Sequence, residues 1–95
     1  MDAVNLERLW RALGENQTTF GRRLEMSQPM ISRALKGKSR LRETASRLAF
    51  ELADTHAPEI ARDARLQKRA AKALEVSEPF RQIVLAALDL IHIDE

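Results

Sequence analysis

Residues 17–37 read QTTFGRRLEMSQPMISRALKG, and their spacing decides the fold. Apolar side chains fall at Phe20, Leu24, Met26, Ile31 and Ala34, where two short crossing helices would bury against each other. Gly21 follows Phe20 at the point of closest approach, where a larger side chain would push the helices apart. Ser27 is placed to cap the second helix, its hydroxyl accepting a free backbone N–H. Pro29, in that helix's first turn, removes only a donor that has no intrahelical partner. The positions left outside are Gln28, Pro29, Met30, Ser32, Arg33 and Lys36, and they include groups matched to base edges and phosphates. The stretch therefore predicts a helix-turn-helix whose second helix carries a polar face suited to a DNA major groove.

Working outward, Leu6, Leu9, Trp10 and Leu13 follow helical spacing and predict a first helix over about 3–13, ended by Gly14. Asn16 is placed to cap a second helix over 17–24, and a third over 28–36 ends at Gly37. A basic loop, residues 38–42, holds Leu41 as its one apolar anchor. A fourth helix over 42–54 puts Ala45, Leu48, Ala49 and Leu52 on one face, with Phe50 and Ala53 beside it. After Pro58 a fifth helix over 58–74 has a thin stripe of Ile60, Ala64, Ala71 and Leu74, interrupted by Gln67. Ser77 and Pro79 open a sixth helix over 78–92. No run of β-branched residues alternates, so the fold expected is an all-α small helical bundle. Its first part is residues 1–55, and residues 56–95 form a helical extension packed on it.

A chain of 95 residues makes one small domain with a limited core, which association would help to stabilise. Cysteine is absent, which excludes disulfides and thiolate metal sites. His56 and His92 lie in no metal-ligand pattern. No nucleophile constellation, phosphate-cradling glycine loop or carboxylate pair stands out, so neither an enzyme nor a cofactor is expected. The C-terminal apolar run is short and broken by Asp89, so no membrane span is expected and a cytoplasmic location fits.

The net charge of +2 hides an asymmetry. Residues 1–50 hold ten Lys/Arg against five Asp/Glu, and residues 51–95 hold six against nine. A basic half centred on the helix-turn-helix is the electrostatic footprint of phosphate contact. The fifth helix adds Arg62, Arg65, Arg69 and Lys72 at helical spacing, with Lys68 adjacent. Its like-charged i, i+4 pairs mildly oppose the helix, a cost that an anionic partner would remove. The sixth helix is apolar over a broad face: Phe80, Ile83, Val84, Ala87, Leu88 and Ile91, with Leu85 and Leu90 off it. Either it is the central buried helix of the monomer, or part of it pairs with a second chain. Dimerisation through those six residues is the expectation.

These residues resemble the lambda-repressor/Cro-like, or Xre-like, helix-turn-helix domains over about residues 3–55. The resemblance rests on Gln17 opening helix 2, small Gly21, Ser27-Gln28, Ile31-Ser32 and Lys36-Gly37-Lys38. It implies a lambda-repressor-like bundle plus C-terminal helices, with helix 3 in the major groove. It further implies base contacts from Gln28 and Arg33, with Ser32, Met30 and Pro29 in lesser roles. Phosphate contacts would come from Gln17, with Asn16 and Ser27 at the helix starts, and from Lys36, Lys38, Arg40 and Arg42. Two departures stand out. Glu25 replaces the turn glycine, where a left-handed backbone costs a non-glycine roughly 1–2 kcal/mol. Pro29 offers apolar contact only.

The function expected is that of a sequence-specific transcriptional regulator, most simply a repressor, binding a palindromic operator as a homodimer. The alternatives are an antitoxin-type autoregulator whose C-terminal helices bind a toxin, an activator touching RNA polymerase, and an adaptor without DNA function.

Overall fold

The structure, a computed structural model, describes residues 1–91. Six helices follow one another: α1 (Ala3–Leu13), α2 (Gln17–Arg23), α3 (Gln28–Leu35), α4 (Glu43–His56), α5 (Pro58–Val76) and α6 (Glu78–Leu90), with no strand among the described residues. The expected all-α bundle is what forms. The expected last residue of the sixth helix, His92, lies outside the described residues.

The helix boundaries follow local chemistry. Gly14 ends α1 in the left-handed conformation at φ 68°. The Asn16 side chain accepts the Thr19 N–H at 2.8 Å, satisfying one of the free donors of α2. Ser77 does the same for α6, accepting from the Phe80 N–H at 3.2 Å. Ser27 does not. Its backbone has the extended cap geometry and its carbonyl accepts from Ile31, but its hydroxyl makes no cap bond. Pro29 has already removed the donor two residues on, and the exposed hydroxyl is solvated without loss.

The core is small and rich in alanine. Phe20, Leu6, Leu9, Leu24 and Ile31 are its large, fully buried side chains. Ala45, Ala49 and Ala53 form a small-residue ridge along α4, which lets neighbouring helices approach closely. Trp10, Leu13, Met26, Leu41, Leu48 and Leu52 pack partly against this centre. The core does not stop near residue 55: Ala57, Ile60 and Ala61 belong to it. The first turns of α5 thus pack into the core of residues 1–55.

Further along α5 the expected apolar stripe is not buried. Ala71 and Leu74 are exposed, because the helix has by then passed the end of the core. A single residue, Ala57, joins α4 to α5, and α5 runs back along α4. The two carboxylate oxygens of Asp54 accept from the two terminal guanidinium nitrogens of Arg65, at 2.6 and 2.7 Å. That guanidinium holds the Asp54 carboxyl below the usual carboxylate range, so the pair's support is present at neutral pH and is lost on acidification. On the other flank Asn5, the one buried polar residue among the described residues, accepts from the Arg8 guanidinium at 2.8 Å, and Arg8 also reaches Asp63 of α5 at 2.9 Å.

Helix α6 contains no buried residue and packs chiefly on α5. This excludes it as the monomer's central helix. The radius of gyration of 15.2 Å, with a long dimension of 42 Å, exceeds the roughly 12 Å of a compact chain this size. The projecting α5–α6 hairpin accounts for that excess.

Candidate nucleic-acid interface

The turn between α2 and α3 is built around the Gly21 carbonyl. It accepts the Leu24 N–H at 3.0 Å and the Met26 N–H at 2.8 Å, while Glu25 donates to Arg22 at 3.1 Å. This paired pattern closes the helix with its next residue left-handed, and Glu25 indeed sits at φ 57°. A side chain on Gly21 would place its Cβ 2.7 Å from the Met26 carbonyl oxygen and 3.4 Å from Ile31 Cγ2. The close approach expected at Gly21 is therefore real, and glycine is what permits it.

Glu25→Gly is expected to raise stability. Relief of roughly 1–2 kcal/mol of left-handed strain outweighs the greater backbone freedom of unfolded glycine, of about 0.5–1 kcal/mol. Urea denaturation should show a higher midpoint. A lower midpoint would mean that the Glu25 side chain contributes more than its backbone strain.

Ile31 and Ala34 bury the inner face of α3. On the opposite side Pro29, Arg33 and Lys36 are exposed, with exposed Gln28 and half-buried Ser32 on one flank and Met30 on the other. The residues expected to read bases thus share one outward surface. Gln28 does not stand alone there: its Nε2 donates to Gln17 Oε1 at 2.8 Å. One amide hydrogen and the carbonyl oxygen of Gln28 remain for an outside partner, so Gln17 fixes the amide plane without consuming it. Asn16 is already engaged at its cap, whereas Lys36, Lys38 and Arg42 are exposed, with Ser27 and Arg40 also at the surface.

Charge pairing sets this surface apart from most of the molecule, the second half of α5 excepted. Of sixteen Lys and Arg residues, seven make ion pairs among the described residues: Arg8, Arg11, Arg23, Arg47, Arg62, Arg65 and Arg81. None of Arg33, Lys36, Lys38, Arg40 or Arg42 does. Arg33, Arg40 and Arg42 also line one cleft of about 460 Å³, with Leu24, Met26 and Met30 among its apolar residues. Folding brings the guanidinium of α3 beside those of the following segment.

Arg22, also exposed and unpaired, belongs with this group although its position alone did not single it out. Its neighbour Arg23 is occupied by Glu15, at 2.6 and 2.8 Å. Only the fold tells the two apart.

The six residues expected to dimerise divide. Phe80 and Val84 are half-buried on the side that meets α5, and so are partly used within the monomer. Ile83, Ala87, Leu88 and Ile91 are exposed. Among the described residues, eight of the ten exposed large hydrophobics lie on or just beyond α5 and α6: Leu66, Leu74, Val76, Ile83, Leu85, Leu88, Leu90 and Ile91. No group of metal-binding side chains occurs among the described residues, and none of their helices is long and apolar enough to cross a membrane.

Fold and surface define an all-α bundle with two packed helices, α2 and α3, presenting an amide and unpaired cations outward. The chain matches no protein-family model, no curated protein and no solved structure.

Proposed function

We propose that this chain is a sequence-specific DNA-binding regulator that acts in the cytoplasm as a homodimer, most simply as a repressor. The observation that carries the reading is the outer face of α3. There, Gln28 is oriented by Gln17, and Arg33 shares a cleft with Arg40 and Arg42, none of which makes an ion pair among the described residues, while Glu25 is the one carboxylate lining it. The Gln28 amide is suited to adenine N6/N7 and the Arg33 guanidinium to guanine O6/N7. Lys36, Lys38, Arg40 and Arg42 supply affinity through phosphates, without sequence information. Selection from randomised duplexes tests this. It should enrich one motif, repeated about a two-fold axis with half-sites about 34–36 Å apart. A pool that stays random would refute it.

Dimerisation follows from the α5–α6 hairpin, whose exposed apolar residues need a cover. Burying one more Leu or Ile is worth roughly 1.5–3 kcal/mol, so a few such residues across a two-fold axis suffice. Ile83→Asp combined with Leu88→Asp should convert a two-chain species to one chain by light scattering, with helicity retained because neither residue is buried. A wild-type monomer would contradict the dimer. The same apolar face also supports a second reading, an antitoxin-type autoregulator whose C-terminal helices hold a partner protein. A monomeric free chain that forms a stable complex with one defined protein would select it.

A further inference from the structure

Nine Lys and Arg residues make no ion pair among the described residues, and they fall into two groups. Six surround α2, α3 and the segment after it. The other three are Lys68, Arg69 and Lys72, all exposed on the second half of α5. That half lies beyond the buried part of the helix, so the core does not require charge there.

The two groups meet at Arg40 and Lys68. Helix α5 returns along α4, as the Asp54–Arg65 pair and Lys68 over the Phe50 ring at 5.9 Å both show. Its second half is thereby carried back toward the start of α4 and the loop before it. There Lys68 and Arg40 line the same open cleft, of about 860 Å³. Arg40 also lines the cleft that holds Arg33 and Arg42. Two clefts that share Arg40 thus connect Arg33 and Arg42 on one side with Lys68 of α5 on the other.

Lys68 and Lys72 are one helical turn apart, a like-charged arrangement that opposes helix formation. Arg65, the preceding cation on this side, has its charge met by Asp54. Glu43, Glu75 and Asp2 also line the larger cleft, yet none makes an ion pair. Lys68, Arg69 and Lys72 thus have no ion-pair partner among the described residues, although carboxylates share the cleft that Lys68 lines.

We infer that Lys68 and Lys72, with Arg69 beside them, form a second phosphate-contact surface that extends the α3 track onto the flanking duplex backbone. This inference deepens the DNA-binding reading and rests on it. A phosphodiester backbone suits such a surface, because it offers repeated anions to point-charge ammonium groups without demanding a fixed geometry.

The test compares wild type with Lys68→Gln/Lys72→Gln and with Lys38→Gln/Arg40→Gln on a random-sequence duplex of about 30 base pairs, across a salt series. Both doubles should keep the wild-type thermal midpoint. Each should flatten the plot of log affinity against log salt by roughly 1.8 per chain, about 3.6 for the dimer, at about 0.9 for each phosphate left without its cation. A slope for the α5 double equal to wild type, while the loop double flattens it, overturns the inference alone. If that equal slope comes with a dimer mass newly dependent on salt, the lysines serve the subunit interface, and the inference is again overturned. A wild-type protein that binds no duplex at low salt overturns the DNA-binding reading itself.

Discussion

Gly21→Ala is expected to destabilise the fold by about 2 kcal/mol and to lower its thermal midpoint by about 10 °C. Two effects compete. Alanine in a helix interior is favoured over glycine by about 1 kcal/mol, so propensity alone predicts a gain. Against it, the new Cβ would stand 2.7 Å from the Met26 carbonyl oxygen, a backbone atom with no flexible end to swing aside. Relief would require the turn to move, and the Gly21 carbonyl holds that turn through its bonds from Leu24 and Met26. Ile31 Cγ2, at 3.4 Å and fully buried, blocks the other direction. Overpacking of this kind costs up to about 3 kcal/mol, which outweighs the propensity gain. Urea and thermal unfolding decide the sign. A midpoint at or above wild type would show that α2 and α3 are not in close contact at this residue.

The second large effect concerns recognition. Gln28→Ala and Arg33→Ala should each reduce discrimination at one base pair by roughly 1–3 kcal/mol, and at different base pairs. Arg33→Ala should also flatten the salt dependence slightly, since a charge is removed, whereas Gln28→Ala should not. Because Gln17 orients the Gln28 amide, Gln17→Ala should weaken discrimination at the same base pair as Gln28→Ala. The two changes together should fall short of their sum. Binding to a selected duplex and its single-base variants measures all of this. Wild-type base preference in the Gln28 and Arg33 variants would remove both residues from the reading surface.

Much of the scaffold was legible because local chemistry sets it. Asn16 and Ser77 cap their helices through bonds within three residues, Gly14 and Gly37 adopt positive φ where the helices end, and Gly21 marks a crossing. What could not be read depends on elements meeting in space. The Gln17–Gln28 bond joins two helices, and the Arg8–Asp63 and Arg65–Asp54 pairs tie α5 to its neighbours. Which cations remain unpaired emerges only after those partners are assigned. Spacing suggested that α5 keeps its apolar stripe to Leu74, but burial ends once the helix runs past the core. The composition of α6 suited a buried helix and a partner-facing one equally, and only its exposure separates them.

The central claim is that the outer side of α3 meets the duplex. Chemical-shift mapping of the labelled full chain, titrated with a random-sequence duplex at low salt, tests it most directly. The largest changes should fall on the side chains of Gln17 and Gln28 and on the amides of residues 28–40, with the buried core amides little affected. Changes confined to α6, with α3 silent, would contradict it.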